Sequence, residues 1–340
     1  MTDAAGTHTR RAAILRDYVA GYGHLSIETA SVLPPDAHEV VVAVDAAPIH
    51  PADLMFLQGR YGVKKSLPVA AGFECVGHIV AVGRDIDPAR IGERVCALAS
   101  DKDGTWATLT TTRASQCFPV PADMPDAFAS MLAINPLSAW ALVDMAAASG
   151  AGVIVQTAAS SALGKMIIHL CARRGIDTIN IIRNDDHIPA LQAAGARYIL
   201  NSGEPTFDKH LRELCRTLDV RMALDAVAGD VGGRVLRALP NHASYVLYGA
   251  LSEQALPVSP EQLIFRHKQV TGFWLPMWMR AASPEAIGQA WRDILSQPEI
   301  FTPVVAGEYP LEGIQQAIAA YTGGGARFSD GKVLLRVSAS

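Results

Sequence analysis

Beyond residue 150 the chain alternates between short β-branched runs and longer segments of helical spacing, and this restricts the fold more than any other feature. Residues 153–157, 178–182, 198–200, 222–226, 244–247 and 270–273 have the composition of strands, and residues 162–174, 187–194, 207–217, 232–239 and 284–296 read as helices. Strands joined through helices line up in parallel, and the helices then cover both faces of the sheet. The expected product is a doubly wound α/β domain of the Rossmann type, in which ligands sit at the carboxyl ends of the strands.

The first strand of the series is uncharged and runs into Gln156-Thr157-Ala158-Ala159-Ser160-Ser161-Ala162-Leu163-Gly164. Small residues at the start of a helix let backbone amides approach a pyrophosphate. Ser160, Ser161, Ala162, Leu163 and Gly164 are the expected contacts. Only Gly164 survives of the glycines usual in such a loop, so the segment also reads as a plain turn packing helix on sheet. About twenty residues into a βαβ unit lies the position that meets the adenosine ribose, and here the second strand ends in Asn180-Ile181-Ile182-Arg183. An acidic residue there bonds the 2′-hydroxyl of NAD. Arg183 offers instead a fixed cation with a planar fork suited to phosphate. Taken together, loop and arginine point to NADPH and to hydride transfer.

The first third has another texture. Runs 39–44, 75–82, 94–98 and 106–111 are strand-like, punctuated by Pro34-Pro35, Pro48, Pro51, Pro68, Gly72, Gly83 and Gly92. Residues 304–337 return to strand-like pieces, 308–311 and 332–337, around one helix, 314–321. The expected organisation is a β-rich domain made of residues 1–126 plus 304–340, with the nucleotide domain, 127–303, inserted in it. The polar segment 1–11 reads as a loose tail with no signal peptide ahead of the first strand, and Gly323-Gly324-Gly325 as a turn.

A chain of 340 residues exceeds one small core, and a net charge of −4 with no basic run gives nucleic acid nothing to hold. Cys75, Cys96, Cys117, Cys171 and Cys215 are scattered and never spaced as Cys-x-x-Cys. That favours a reducing, cytoplasmic setting over a disulfide framework or a cysteine-rich zinc site. No charge occurs between Asp144 and Lys165, but Ser149-Gly150-Ala151-Gly152 breaks the stretch and Gln156 lies within it. Helix, turn and buried strand explain it better than a membrane span.

Several motifs resemble the medium-chain dehydrogenase/reductase superfamily, and within it the mitochondrial-type trans-2-enoyl-thioester reductases, with the quinone oxidoreductases next. They are Ala47-Pro48-Ile49-His50-Pro51-Ala52-Asp53, Gln58-Gly59-Arg60-Tyr61-Gly62, Gly72-Phe73-Glu74, Ile134-Asn135-Pro136-Leu137-Ser138-Ala139-Trp140, the 178–183 strand, Tyr248-Gly249-Ala250 and Gly272-Phe273-Trp274-Leu275. The resemblance spans nearly the whole chain. It implies a GroES-like first domain, with Tyr61 as the catalytic residue. Hydride reaches the β-carbon of an α,β-unsaturated thioester, and a phenol with an ordinary pKa of about 10 donates or orients the α-proton. A half-buried aromatic anchoring a glycine-flanked loop is the bland alternative.

The resemblance further implies that His50, Asn135, Trp140 and Trp274 line the substrate site. Tyr248, Gly249, Phe273, Trp274, Leu275 and Lys332 would join Arg183 and the phosphate loop in holding the cofactor. Lys64 and Lys65 read as a solvated charge pair before they read as contacts for a phosphorylated tail. The zinc branch has ligands near His50, Phe73 and Ile134. Phenylalanine and isoleucine cannot bind metal, so a zinc-free enzyme is expected. Two departures stand out: the family usually has asparagine in place of His50, and glycine in place of Ala162. A homodimer through the outer strand of the nucleotide domain is implied by resemblance alone, with the apolar run 244–247 compatible with it. The alternatives are an NADPH:quinone or enone reductase of the same superfamily and a non-catalytic NADPH-binding protein.

Overall fold

The computed structural model describes residues 8–18, 22, 25–32, 34–323 and 331–338. The chain divides into two compact units, one formed by residues up to Ile134 with those from Phe301 onward, the other by Asn135–Ile300. The first boundary falls beyond residue 126 for a visible reason. Asp126, at the start of the short helix Asp126–Ala129, pairs with Arg94 at 2.7 Å and Arg336 at 3.0 Å, both on strands of the first unit.

The second unit is the parallel sheet. Its strands lie in the order Tyr198–Asn201, Asp177–Ile182, Val153–Gln156, Met222–Asp225, Ser244–Leu247, Gln269–Gly272, and every pairing is parallel. Chain direction across the sheet reverses between Val153–Gln156 and Met222–Asp225, which makes their carboxyl ends the switch point where such sheets bind ligands. The helices form where apolar residues recur at helical spacing. Phe207–Thr217 buries Phe207, Leu211 and Cys215, four residues apart each time, and turns its charges outward. Ser244–Leu247 is paired on both sides, so the exposed edge is Gln269–Gly272 rather than the 244–247 run.

A buried polar pair ties the first two strands of this sheet together. Gln156 Nε2 donates to Asn180 Oδ1 at 2.8 Å and to the Gly164 carbonyl at 3.1 Å. Asn180 Nδ2 donates in turn to the Thr178 and Tyr198 carbonyls, both at 3.0 Å. Amides buried this deeply are tolerated because their donors are satisfied.

In the first unit, Val305–Pro310, Lys332–Arg336, Glu39–Pro48, Glu74–Val82, Arg94–Leu98 and Cys117–Pro119 follow one another across a sheet, and Leu109–Arg113 also pairs with Glu39–Pro48. Glu39–Pro48 and Glu74–Val82 cross so closely at Gly77 that a Cβ there would lie 2.0 Å from the Ala43 carbonyl oxygen. A second sheet joins Leu25–Val32, His8–Leu15 and Val69–Ala70. Residues 8–11 therefore belong to a strand and not to a loose tail. Ala12, Ala13 and Leu15, fully buried just beyond them, supply the apolar anchor that the polar start of the chain concealed. The strand placed at 106–111 is Leu109–Arg113, because Trp106 is fully buried with its Nε1 donating to the Pro48 carbonyl at 3.1 Å. Of the glycine run at 323–325, only Gly323 lies among the described residues, at the end of the helix Ile314–Gly323. Among the described residues no helix is long and apolar enough to cross a membrane.

Candidate active site

The phosphate-type loop in the second unit is built by strand, turn and helix in succession. Val153–Gln156 ends, Ala158 takes a left-handed φ of +49°, and the helix Ala162–Arg173 begins, capped by Ser161 Oγ accepting from the Gly164 amide at 3.0 Å. The Lys165 amide bonds the Ser161 carbonyl, also at 3.0 Å. The first turn of a helix has no intrahelical acceptors, so the amides of Ala162 and Leu163 remain for a ligand. Gly164 has to be glycine, since a Cβ would lie 2.6 Å from the Ala159 carbonyl oxygen. These features fit a pyrophosphate. Arg183 follows the second strand, is exposed, and makes no hydrogen bond or ion pair among the described residues. A guanidinium held at a strand end without a partner fits the extra phosphate of NADPH.

A buried carboxylate orders the neighbouring strand end. Asp225 accepts from Thr157 Oγ1, the Tyr245 hydroxyl, the Val227 amide at 2.9 Å and the Ala228 amide at 2.8 Å. Ala228 sits at φ +60°, a strained conformation for a residue with a Cβ, and the Asp225 contact holds it there. The Tyr248 backbone amide donates to the Asp225 carbonyl at 2.8 Å, while its buried hydroxyl has no hydrogen-bond partner among the described residues and is pushed well above the ordinary phenol range by burial and by Asp225. Gly249 lies close over Ala226, where a Cβ would sit 2.7 Å from its carbonyl oxygen. At the outer strand, the Phe273 amide donates to the Leu247 carbonyl at 2.8 Å, Trp274 precedes the helix Leu275–Ala281, and Leu275 is buried. Asn135 is half-buried near the start of the helix Ile134–Ala148. On the same helix Trp140 is buried, donating from Nε1 to Asp293 at 2.9 Å and lying beside Trp278 and under Arg174.

The first unit contains a cluster of titratable groups. His50 Nε2 lies 2.7 Å from Glu74 Oε2, and its Nδ1 lies 3.4 Å from Lys332 Nζ. The other Glu74 oxygen accepts the amides of Ala133 at 2.5 Å and Ile134 at 2.9 Å. With that carboxylate held as an acceptor, His50 places its proton on Nε2 and turns the Nδ1 lone pair to Lys332. Burial, then the Lys332 charge, lowers the His50 pKa and keeps the ring neutral. Burial likewise brings the Lys332 ammonium down to about 8 and lifts the Asp53 carboxyl to about 7. Asp53 Oδ2 accepts the His50 amide at 2.7 Å and starts the helix Pro51–Leu57. Oδ1 of the same residue is buried with no hydrogen-bond partner among the described residues. Lys332 thus sits beside His50 as a buried cation, whereas the sequence could equally make it an exposed strand lysine.

Tyr61 stands on the segment between Pro51–Leu57 and Val69–Ala70, half-buried, its ring 4.8 Å from that of Phe73 and tilted by 39°. Lys64 is exposed, but Lys65 is not half of a solvated pair. It is buried, its Nζ donating to the Asp103 carbonyl and lying 5.5 Å and 5.2 Å from the ring centres of Phe56 and Phe73. Two neighbouring aromatic rings and a backbone carbonyl turned the side chain inward, and nothing in the local sequence announces them. Glu74 and Asp225 carried a fainter signal: each is a lone acid at the edge of an apolar strand, where a charge has to be partnered.

The fold and these sites define a nucleotide-dependent oxidoreductase with a GroES-like unit and a Rossmann unit. Residues 36–122 match the alcohol dehydrogenase GroES-like domain family, and residues 162–292 the zinc-binding dehydrogenase family. The chain is 31% identical to the mitochondrial enoyl-[acyl-carrier-protein] reductase of Rattus norvegicus, over 87% of this chain and 80% of that one. Among solved structures, a protein described as a putative NADPH:quinone reductase from Mesorhizobium loti superposes with a TM-score of 0.88 at 31% identity, covering 99% of this chain and 100% of that one. Etr1p of Candida tropicalis, solved with NADP and crotonyl-CoA, shares the fold at a TM-score of 0.79 and 19% identity, covering 97% and 100%. The chain belongs to the medium-chain dehydrogenase/reductase superfamily, on the branch that holds the enoyl reductases and NADPH:quinone reductases. Zinc, which the name of the second family implies, does not fit the residues present. Phe73 and Ile134 carry no donor, Glu74 already engages His50 Nε2, and no group of three or more His, Cys, Asp or Glu among the described residues could hold a metal ion.

Proposed function

We propose that the protein reduces the carbon–carbon double bond of 2-enoyl thioesters with NADPH. The observation that carries this reading is Tyr61, a phenol fixed against Phe73 in a chain whose similarity to an enoyl-thioester reductase covers most of both sequences. NADPH supplies the hydride. The amides of Ala162 and Leu163 hold its pyrophosphate, and Arg183 its 2′-phosphate. Tyr248, Gly249, Phe273, Trp274, Leu275 and Lys332 complete the cofactor contacts, and His50, Asn135 and Trp274 line the substrate site. Trp140, bonded to Asp293 and lying under Arg174 next to the amino end of Asp177–Ile182, lies at the opposite end of the strands and is not among them. Tyr61 delivers or aligns the proton for the α-carbon, and fixed dipoles stabilise the charge on the thioester oxygen. Oxidation of NADPH followed by absorbance, with crotonyl-CoA against a 1,4-quinone, tests the reading. Faster turnover of crotonyl-CoA supports it, and turnover of the quinone alone sinks it.

Quinone reduction is the second reading, favoured by the superposition on the Mesorhizobium loti structure. On either reading we propose a homodimer through the open edge Gln269–Gly272, beside which Leu263, Ile264 and Phe265 are exposed at 42%, 59% and 72%. Light scattering of the wild type and of Phe265→Glu distinguishes dimer from monomer. The five cysteines are all free and buried, and we propose a reducing compartment for the protein.

A further inference from the structure

Lys65 is an unusual residue to find buried. An ammonium removed from water costs stability unless something repays it, and this one has a backbone carbonyl and two aromatic faces in place of a carboxylate. The backbone on either side of it is clamped as well. The Tyr18 hydroxyl accepts the Lys65 amide at 2.9 Å and donates to the Lys65 carbonyl at 3.0 Å. The Tyr18 ring packs edge-on against Phe56, with centres 5.6 Å apart, and Phe56 packs against Phe73 at 5.3 Å. Gly59, at φ +67°, lets the chain pass directly over Tyr18. Lys65 is therefore the point at which residues 58–68 are fastened, and the ring it presses on is the ring that supports Tyr61.

We propose that Lys65 is the positioning residue for Tyr61: its ammonium, drawn onto Phe73 and the Asp103 carbonyl, sets the tilted Phe73–Tyr61 contact and with it the direction of the phenol. The proposal rests on the reading of Tyr61 as the proton donor, but the contact can be examined without any reaction. Acid groups around Lys65 favour the charged form: Asp103 and Asp101 on the segment before Leu109–Arg113, and Asp53 on the helix Pro51–Leu57. Arg10 pairs with Asp103, and the Tyr18 hydroxyl bonds the Lys65 backbone. Burial outweighs the acids and brings Lys65 down to about 8. Charge on the clasp is consequently lost as pH rises through about 8, and a neutral amine loses the cation's pull on an aromatic face.

The test uses the full-length protein with tyrosines carbon-13-labelled at the ring ε positions, and Tyr61 assigned by its loss in Tyr61→Phe. The Tyr61 signal is expected to shift with a midpoint near pH 8 in the wild type, keep a fixed position in Lys65→Met, and return toward its neutral-pH wild-type position in Lys65→Arg. Turnover of crotonyl-CoA is expected to fall about ten- to a hundred-fold in Lys65→Met, the scale of a misdirected reacting group, with KM for NADPH unchanged. Tyr18→Phe, which leaves the charge in place but opens the backbone clamp, should broaden the same signal. An unchanged Tyr61 titration in Lys65→Met overturns the proposal, as does wild-type turnover in that variant. If the wild type reduces no enoyl thioester, the function proposed above fails while the NMR titration still decides the role of Lys65.

Discussion

Lys332 Nζ lies 3.4 Å from His50 Nδ1, while the opposite nitrogen of the same ring lies 2.7 Å from Glu74. The imidazole therefore presents an N–H to one neighbour and a lone pair to the other. A carboxamide does the same with its NH2 and its oxygen. His50→Asn keeps one donor and one acceptor on a shorter side chain and should lose about 1 kcal/mol of stability. His50→Leu strands the Glu74 carboxylate and should cost about 3 kcal/mol. Urea denaturation of the two variants checks the contrast, and equal losses would show that size rather than polarity matters at position 50.

Tyr61→Phe removes the phenol and keeps the ring that packs on Phe73. Enoyl reduction should fall by roughly two powers of ten or more, the usual scale for losing a general acid, with NADPH affinity little changed. Near-normal turnover removes Tyr61 from the chemistry.

Arg183 has no partner to lose among the described residues, so Arg183→Ala should leave the thermal midpoint unmoved. Preference for NADPH over NADH should shrink by about ten- to a hundred-fold, the value of a charge-assisted phosphate contact. Steady-state kinetics with both nucleotides measures it. A wild type that already prefers NADH would refute the cofactor assignment.

Burial raises the Asp53 carboxyl from 3.8 to about 7. Between those values the folded protein holds a proton that the unfolded chain has released. This contribution to stability is therefore complete below about pH 4 and is lost as pH rises through about 7. In Asp53→Asn a carboxamide offers the same oxygen to the His50 amide without titrating. The variant should therefore gain on the wild type between about pH 4 and pH 8, by on the order of 2–4 kcal/mol. Denaturant midpoints across that range report it, and a difference independent of pH would mean that Asp53 is ionised in the fold.

The parallel sheet was legible because its signals are local and repeated. The helix predicted at 207–217 matches Phe207–Thr217 residue for residue, and the strand at 244–247 is likewise recovered. The position of Arg183, directly after the second parallel strand, was legible because strand and loop fix its distance along the chain. What escaped depends on distant partners. Pro51–Leu57 is too short to show a helical period. The inward turn of Lys65 depends on Phe56, Phe73 and Asp103, and the His50–Lys332 contact joins residues far apart in sequence. Which strand lies at the outer edge of the parallel sheet was not legible, because apolar composition does not distinguish a penultimate strand from a last one.

Glu39–Pro48 receives one of its neighbours only when Lys332–Arg336 exists, since Ala46 pairs with Arg336 and Pro48 with Leu334. On a ribosome adding about 5–20 residues each second, the earlier strand waits tens of seconds for the later one. Throughout that interval its unmatched edge is open to any passing β-segment, a nascent copy of the same chain included. Removal of the last ten residues would make the wait permanent, and such a truncation should emerge from cells as aggregate even though the inserted Asn135–Ile300 unit is left whole.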